Sequence, residues 1–396
     1  MPGLAQIKSL PHAFEIIKQM ELRPEEVSLD VREEARLALQ TILRGRMDRF
    51  IDVCLQDLGE RGVEDRRNGT YGRHFLCELG DLILEVPRTR VCSAAWLLRR
   101  FGRRSEQLDR TILACFLLGL STRKVAKALL PLLGERFSPT LVSNISAQLD
   151  TAVAAFHKRS LTKRYRALLL DGVVLSQRTG VGAVRRCVLV GLGILTDGTK
   201  EVLDFRVGRS ESEREWEVFL NDLQRRGLSE EGLGIITVDG GKGLLAALTT
   251  TYPNVPVQRC WAHKMRNLTD KVRERDHERV KRGLRKIYKA DSEQTARRAA
   301  QDFRAKWARS YPKMVASLRA DLDELLAFFT FKEPAWRKAV RTTNAIERRF
   351  REVRRRTRPM GVMADRSSME RILFAVFSYE NQQQGATPLF ALTHNN

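Results

Sequence analysis

Long hydrophobic runs are absent from this sequence of 396 residues. A membrane-spanning helix needs about 20 consecutive apolar residues, and no segment approaches that length. The opening Met-Pro-Gly-Leu lacks the pattern of a secretory signal peptide. Cysteine is also scarce, since the six residues lie far apart and form no paired spacing. We therefore expect a cytoplasmic protein whose thiols are reduced.

Acidic residues are few relative to basic ones. The chain has 48 Asp and Glu against 70 Lys and Arg, which gives a formal net charge of +22. Such an excess attracts polyanions, nucleic acid first. A basic subunit of a larger assembly would show the same balance. The hydrophobic content of 43% excludes a mostly disordered chain, and the length predicts two or three domains.

The first third of the chain combines helical and turn patterns. Apolar residues at helical intervals from Asp30 to Leu58 predict a long amphipathic helix, with Gly45 as a candidate break. A turn signal follows on a basic loop that contains Arg66 and Arg67. The alternation from Phe75 to Val86 predicts a small hairpin. Basic loops of this kind contact phosphates, although a solvated loop has the same composition.

Two short helices are predicted next, one opening at Ser121 and one at Ser138-Pro139, with a linker that contains Gly134 between them. After the apolar helix that precedes them, this arrangement is typical of a helix-turn-helix unit. The first helix would carry Arg123 and Lys124, and the second would present Asn144 to a major groove. Any helical bundle can show the same pattern, so both interpretations stay open.

The central region predicts an α/β domain. Three apolar strands joined by short turns indicate an antiparallel meander, and a helix, a strand, a helix and a last strand follow. Asp171 ends the first strand and Asp239 ends the fourth. This order, with acids at those two positions, is typical of a ribonuclease-H-like fold. The predicted strands are 165–175, 187–195, 201–207, 233–239 and 255–261.

The two acids point to metal chemistry. Neighbouring strand ends would bring Asp171 and Asp239 together, where like charges repel unless a cation intervenes. Mg²⁺ prefers oxygen ligands, and two such ions about 3.5–4 Å apart act in phosphoryl transfer. Glu347, in the first turn of a helix after Thr342 and Thr343, is the candidate third carboxylate. Each aspartate alone is equally compatible with a turn or helix-cap residue. The glycines after Asp239 lack the Walker spacing, which excludes nucleotide triphosphate binding.

The helix that carries Glu347 is unusually rich in arginine. Guanidinium forks bind phosphate oxygens in a bidentate manner, so this helix predicts contact with a DNA backbone, although a solvated basic face is the alternative. One acidic neighbour, Glu352, cannot neutralise so many cations. The seven arginines are Arg348, Arg349, Arg351, Arg354, Arg355, Arg356 and Arg358.

Five segments, taken in order, resemble the Mutator-type transposases, specifically the bacterial insertion-sequence branch of that superfamily. The resemblance runs from about Asp65 to Asn381 and covers most of the chain. The segments are Arg66-Arg67-Asn68-Gly69, Leu170-Asp171-Gly172, Val238-Asp239-Gly240, Gln258-Arg259-Cys260-Trp261-Ala262-His263 with Arg266-Asn267, and Arg341-Thr342-Thr343-Asn344-Ala345-Ile346-Glu347-Arg348 with the arginines that follow.

The resemblance implies a DDE transposase that cuts and joins strands at the ends of its own element. Asp171, Asp239 and Glu347 would be its catalytic residues and the ligands of two Mg²⁺ (or Mn²⁺) ions. It also implies a ribonuclease-H-like core with an all-α insertion, preceded by a mostly helical DNA-binding region. The partner would be double-stranded DNA, as element ends and as target, and we expect a homodimer on paired ends.

Two further positions follow from the resemblance. Cys260 and His263 match a Cys-x-x-His signature, which we interpret as a flank of the active site, because no second pair at metal-ligand spacing completes a zinc site. A structural helix start is the alternative for this pair. Relatives usually have His where this chain has Gly241, so the chain either does without that His or is impaired.

Two other functions stay open: a transposase-derived DNA-binding regulator without catalysis, and a structure-selective nuclease on the same fold.

We divide the chain into six regions on these grounds. The regions are an N-terminal helical and hairpin part (1–105), a helix-turn-helix-like part (106–160), the first part of the core (161–263), the all-α insertion (264–335), the part of the core with the catalytic helix (336–385) and a tail (386–396).

Overall fold

A computed structural model describes residues 31–98, 104–133 and 138–385. The first 30 residues, the linker at Gly134 and the tail 386–396 lie outside the described residues. The chain forms two compact units, Met1–Ser146 and Ala147–Asn396, and each is described by itself. Across the described ranges, no helix combines the length and the apolar character needed to cross a membrane. The division into six regions stays a prediction.

The N-terminal unit contains a long helix that packs on a hairpin. Helix α1 (Val31–Glu60) runs without interruption through Gly45, so the candidate break is not observed. Strands β1 (Arg67–Cys77) and β2 (Gly80–Thr89) pair antiparallel. The apolar faces of these elements meet in one core that includes Met47, Ile51, Leu82 and Leu84.

The hairpin begins earlier than the sequence predicts. The expected loop Asp65–Tyr71 overlaps β1, which starts at Arg67. The register shifts between Arg67 and Thr70, and Gly69 has a positive φ of 72°. These are the marks of a bulge, in which glycine takes a conformation that other residues avoid. The Asn-Gly pair therefore bends a strand where the sequence suggested a turn.

Two of the six cysteines are joined. A disulfide links Cys54, on α1, to Cys92, which follows β2. The expectation that all six thiols are reduced is wrong for this pair, because the two residues are 38 positions apart and only the hairpin fold brings their Cα atoms to 6.8 Å. Four cysteines are free: Cys77, Cys115, Cys187 and Cys260.

In the part of the N-terminal unit that the structure describes, a short 3-10 helix (Ala94–Leu98) and three α-helices follow the hairpin: α2 (Glu106–Leu117), α3 (Thr122–Leu133) and α4 (Pro139–Ser146). The predicted helix starts are confirmed, since the hydroxyl of Ser121 accepts a hydrogen bond from the N–H of Lys124 and that of Ser138 from the N–H of Leu141. Arg123, Lys124 and Asn144 are exposed. Their contact with DNA stays a prediction.

The C-terminal unit is built on a five-stranded mixed sheet with the order β5-β4-β3-β6-β7. The first three strands are antiparallel, whereas β6 is parallel to both β3 and β7. The predicted sequence of strands and the α/β class are confirmed. The strands are β3 (Tyr165–Thr179), β4 (Gly182–Leu195), β5 (Lys200–Gly208), β6 (Ile235–Val238) and β7 (Val257–Arg259).

Helices surround this sheet. Helix α6 buries Trp216, Phe219, Leu220 and Leu223, the residues expected on its apolar face, against the sheet core. The helices of this unit are α5 (Leu149–Lys158), α6 (Glu213–Arg225), α7 (Lys242–Thr251), α8 (Trp261–Thr269), α9 (His277–Tyr288), α10 (Glu293–Trp307), α11 (Pro312–Ala320), α12 (Leu322–Leu326), α13 (Pro334–Val340), α14 (Asn344–Met360) and α15 (Arg366–Gln382).

A buried ion network lies at the edge strand β5. Asp204 is 3% exposed, and its carboxylate accepts hydrogen bonds from Nη2 of Arg226 at 2.6 Å and from the backbone N–H of Phe205 at 2.7 Å. Nδ1 of His157, on α5, lies 2.7 Å from the same carboxylate. The network ties α5 and the end of α6 to the sheet. Because its members are shielded from water, each depends on the others for charge compensation.

Replacement of Asp204 by alanine should destabilise the C-terminal unit strongly. It removes the buried carboxylate that pairs with the guanidinium of Arg226 at 2.6 Å and leaves only the half-exposed Asp222 at 3.1 Å as its ionic partner, a loss of about 3 kcal/mol. Urea unfolding followed by tryptophan fluorescence measures this, because four of the five tryptophans lie after residue 146.

The matched control for this variant is Asp323→Ala. The side chain of Asp323 is 86% exposed and pairs with Arg297 at 2.8 Å, so its loss should change stability by about 1 kcal/mol or less. Equal unfolding midpoints for the two variants would contradict the assignment of the network as a structural support.

Candidate functional site

Two aspartates lie next to each other on neighbouring parallel strands. In the pairing of β3 with β6, Leu169 is opposite Thr237. Asp171 and Asp239 each follow two positions later, so they occupy equivalent places just past the end of this ladder. Asp171 does not end its strand as expected, because β3 continues to Thr179 by pairing with β4, where Asp171 is opposite Val190.

The third predicted acid is brought to this place by two helix starts. Cys260 precedes α8 and Thr343 precedes α14. The backbone N–H and the hydroxyl of Thr343 lie 3.3 and 3.4 Å from the buried sulfur of Cys260 and donate hydrogen bonds to it. This contact sets the two helices side by side. As a result, His263 in the first turn of α8 faces Glu347 in the first turn of α14.

Two carboxylates and one imidazole form a cluster at this place, which we call the acidic cluster. Asp171, His263 and Glu347 each offer a ligand atom, and these atoms all lie within 4.8 Å of one another. Nε2 of His263 is 3.3 Å from Oε1 of Glu347. Asp171 is 7% exposed, whereas the side chains of His263 and Glu347 are partly open to solvent. Residues from a strand and two helices thus meet at one point.

Asp239 is next to this cluster and not part of it. Its Oδ1 accepts a hydrogen bond of 2.9 Å from the N–H of Gly241, which draws the carboxylate toward the start of α7. The sequence predicted Asp171, Asp239 and Glu347 as the ligand set. The structure groups His263 with Asp171 and Glu347, and the interpretation of His263 as a flank of the active site stays a prediction.

The electrostatics of the cluster follow from its burial and its like charges. The pKa of Asp171 is raised to about 7, chiefly by burial; His263 opposes this shift, and the nearby Asp239 and Glu347 carboxylates contribute to it. The hydrogen bond to Cys260 raises the pKa of His263 to about 9, and Asp171 and Glu347 add to this effect. An imidazolium between two carboxylates therefore supplies positive charge at the point where they converge.

Cys260 is the unusual member of this group. Burial alone would raise the pKa of its thiol, but hydrogen bonds from His263 and Thr343 outweigh burial and lower it. The sulfur lies between the N-termini of two helices, whose dipoles also favour a negative charge. The interpretation of Cys260 as a flank of the active site stays a prediction.

A cavity of about 520 Å³ opens over the cluster. Its walls combine the acids and His263 with a row of cations, so it suits an anionic substrate better than an apolar one. Arg266 is a wall residue to which the sequence gave no role; its position one turn after His263 could have indicated that both share a face of α8. The cationic wall residues are Arg266, Arg348, Arg351 and Arg354.

The arginines of α14 divide into two groups. Arg348, Arg351, Arg354, Arg355 and Arg358 are exposed. In contrast, Arg349 and Arg356 are buried, and Arg356 donates a hydrogen bond of 2.7 Å to Glu352. Glu352 also pairs with Arg355 at 2.8 Å. Arg356 therefore does not lie on an exposed basic face, because its place on the helix turns it toward the core.

In the N-terminal unit, the two arginines of the predicted basic loop, Arg66 and Arg67, have different contacts. Both arginines are exposed, and Arg67 pairs with Asp48 at 2.7 Å and with Asp52 at 2.6 Å. The hydrogen bonds to these two acids raise the pKa of the Arg67 guanidinium. A contact of Arg67 with DNA would have to compete with these two carboxylates. The roles predicted for both residues stay predictions.

A divalent cation fits the acidic cluster by the chemistry of its donors. Two carboxylates and one imidazole can converge on one ion, and Asp239 is close enough to affect the charge of Asp171. Carboxylates suit Mg²⁺ and Mn²⁺, and imidazole is the softer ligand of the set.

A comparison with known protein families identifies the family of this chain. The family model described as "Transposase, Mutator family" matches residues 12–385, nearly the whole chain. The chain belongs to this family. The resemblance that the sequence segments suggested is thereby confirmed.

Several curated relatives of this Mutator-family chain are similar over most of their length. The transposase for insertion sequence element IS905 of Lactococcus lactis is 31% identical over 360 residues, 90% of this chain and 91% of the relative. The transposase for IS1081 of Mycobacterium tuberculosis is 31% identical, covering 86% and 85%. The transposase for IS256 in transposon Tn4001 of Staphylococcus aureus is 30% identical, covering 79% and 80%.

Gly241 stands where the resemblance to the Mutator-type transposases leads us to expect a histidine. Its φ is −57°, which any residue adopts, and a Cβ there would lie 3.4 Å from Oδ1 of Asp239, an ordinary contact distance. Neither backbone strain nor space requires glycine here. A Cβ atom is thus tolerated beside Asp239, and the backbone does not explain the glycine.

Replacement of Cys260 by alanine should lower the pKa of His263 from about 9 toward the ordinary value of 6.5, because the hydrogen bond to the sulfur is the largest cause of the shift. An imidazolium with a raised pKa stabilises the fold below about pH 6.5 and loses this contribution as the pH rises through about 9. In the variant the loss should occur at lower pH. An NMR titration of the histidine side chains measures it.

Cys115→Ala, in the N-terminal unit, serves as the control and should leave the His263 titration unchanged. A His263 pKa that is the same in Cys260→Ala and in the unmodified protein would show that the sulfur does not set the charge of this imidazole.

Proposed function

We propose that the protein is a DNA transposase that cleaves and joins strands at the ends of its own insertion element. The observation that carries the proposal is the convergence of Asp171 and Glu347, from distant parts of the chain, at a cavity walled by arginines. Membership of the Mutator family and relatives named as insertion-element transposases support it. The substrate would be double-stranded DNA, both as element ends and as target.

The sheet order supports a ribonuclease-H-like core. Three antiparallel strands followed by two parallel ones, with acids at equivalent positions of β3 and β6, match the layout expected from the sequence. Between β7 and α14 the chain forms helices, α8 to α13, and no strand. We take this helical segment as the all-α insertion and α14 as the catalytic helix.

The acidic residues would hold the divalent metal. Asp171, Glu347 and Asp239 would be its ligands, and His263 would be either a fourth ligand or a neighbour that moves aside. Two bound Mg²⁺ or Mn²⁺ ions would activate the attacking oxygen and stabilise the leaving oxygen of an in-line displacement. Before the metal binds, the charged His263 compensates the carboxylates, and Asp171 retains a proton up to about pH 7.

The arginines would hold the DNA backbone. Arg266, Arg348, Arg351 and Arg354 line the cavity beside the acids, at a place where phosphates would approach the cluster. Such contacts orient the strand without reading its sequence. Recognition of the ends would fall to the helix-turn-helix-like helices with Arg123, Lys124 and Asn144. Two ends must be held together for transposition, so we propose a homodimer acting on the bacterial nucleoid in the cytoplasm.

Replacement of Glu347 by glutamine should abolish metal-dependent nicking of an end-containing DNA fragment while leaving binding intact. The amide keeps the shape of the side chain but removes the charge that holds the metal, so we expect a loss of at least about a hundredfold. Cleavage is followed on a labelled fragment with Mg²⁺ or Mn²⁺, and binding by gel shift.

Glu293→Gln, an identical change at an exposed position of α10, is the control and should cleave normally. Full cleavage by Glu347→Gln would remove Glu347 from the mechanism. Site-specific binding without any nicking by the unmodified protein would favour a DNA-binding regulator, and cleavage that follows branched shape in place of end sequence would favour a structure-selective nuclease.

Replacement of both Arg351 and Arg354 by glutamine should reduce the salt dependence of DNA binding. Each phosphate contact contributes about 0.9 to the slope of log K against log salt, so the slope should fall by about 2. Fluorescence anisotropy at several salt concentrations measures it. Arg214→Gln with Arg225→Gln, exposed positions on α6, is the matched control and should not change the slope. An unchanged slope in the Arg351/Arg354 variant would place the DNA elsewhere.

A further inference from the structure

A second and larger cavity lies beside α14, away from the acidic cluster. It has a volume of about 720 Å³ and is walled by α8, α13, α14 and α15, the start of β5 and Tyr288 at the end of α9. Sites for small organic ligands have volumes of about 300–1,000 Å³. The cavity can therefore hold a group the size of one nucleotide, but a double helix is too wide to enter it.

The charged groups that face this cavity are mostly positive. Lys200, Lys338 and Arg348 form no ion pair with the described residues, and Arg341 lies over the ring of Tyr288 and donates a hydrogen bond to the carbonyl of that residue. Glu380 is the one acid among the wall residues. Five cations against one carboxylate, with Arg349 as the fifth, indicate an anionic ligand.

Arg349 makes this wall different from an ordinary basic surface. The residue is 6% exposed, and one of its terminal nitrogens donates a hydrogen bond of 2.9 Å to the carbonyl of Ala345. Its Nε has no partner among the described residues. Glu380 acts on it electrostatically without forming an ion pair within that part of the chain. A buried guanidinium without a paired anion is destabilising, and a phosphate in the cavity would relieve this.

The two cavities share part of their walls. Asn344 and Arg348 line both the cavity over the acidic cluster and the larger one. They stand in the first two turns of α14, on either side of Glu347 in the sequence. A strand whose phosphate lies at Asp171 and Glu347 can thus place a neighbouring nucleotide in the larger cavity by passing these two side chains.

We propose that this cavity binds a single unpaired nucleotide, displaced from the duplex next to the phosphate that is cut. Its phosphate would meet Arg348, Arg349 and Lys338, and its base would lie near the guanidinium plane of Arg341. Arginine planes stack on bases of any identity. The inference rests on the proposed function, since it takes DNA as the ligand of the adjacent site, and it assigns the cavity a role that cleavage itself does not require.

The test uses the full chain and end-containing duplexes in which 2-aminopurine replaces one base at a time near the mapped cut. In EDTA, which prevents cleavage, binding should raise the fluorescence several-fold at one position, because the displaced base loses its stacking. A mismatch at that position should tighten binding several-fold, since the base is already unpaired.

Ala339→Trp is the decisive variant. Ala339 is a half-buried wall residue on α13, and an indole there would fill the cavity without touching the acidic cluster. The fluorescence rise and the mismatch effect should both disappear, with DNA binding weakened about five- to tenfold, the size of one lost stacking contact. Ala299→Trp makes the same change in a separate cavity of about 180 Å³ on the helical segment and should have no effect.

Lys338→Gln tests the charge without filling the cavity. It should reduce the fluorescence rise, whereas the exposed Lys332→Gln should not. A protein that cuts element ends but shows no fluorescence rise, or a rise that survives Ala339→Trp, would overturn the inference and leave the proposed function standing. A protein that never nicks DNA with Mg²⁺ or Mn²⁺, and yet shows a rise that Ala339→Trp removes when 2-aminopurine is scanned along an end-containing duplex, would overturn the proposed function. The cavity would then hold an unpaired nucleotide of bound DNA with no cut beside it.

Discussion

The repulsion between two carboxylates on adjacent parallel strands is the constraint around which the C-terminal unit is built. Because Leu169 and Thr237 are in register, Asp171 and Asp239 follow at the same level and cannot both be charged without compensation nearby. His263 provides a charge at this point, and four arginines line the cavity above it. The positive side chains around the acids are thus a condition for the site to stay folded as well as a means to attract phosphate.

Much of this arrangement could be predicted from the sequence because it depends on local patterns. Runs of apolar residues define buried strands, and an acid that follows such a run lies at the C-terminal end of the strand, as Asp239 does after β6. The start of α14 after Thr343 was predictable from the threonines that precede it, although the hydroxyl of Thr343 bonds to Cys260 and forms no capping hydrogen bond. The face that carries Glu347 followed from helical spacing. The ordered motifs then made the family recognisable without any structure.

The remaining features depend on contacts between distant segments. Asp171 lies inside β3 because β3 continues to pair with β4 beyond this residue. The change in residue composition after Asp171 makes this continuation hard to recognise in the sequence. His263 joins the acidic cluster only because Cys260 and Thr343 meet, and Arg356 turns inward because α14 has a buried face along most of its length. The disulfide between Cys54 and Cys92 likewise follows from how α1 packs on the hairpin. These contacts between distant segments cannot be inferred from the spacing of residues in the sequence.

The contacts at the base of the helical segment have a consequence for evolution. The N–H of Trp261 donates a hydrogen bond of 3.0 Å to the carbonyl of Arg341, and the hydroxyl of Thr237 donates one to the carbonyl of Val340, beside the junction of Cys260 with Thr343. The helical segment therefore leaves the sheet domain and returns to it through two chain segments, at 260–261 and 340–343, that are joined by hydrogen bonds. We call this junction the neck. Since lengthening a closed loop adds little entropy cost, helices could be gained or lost beyond the neck while the acids keep their spacing.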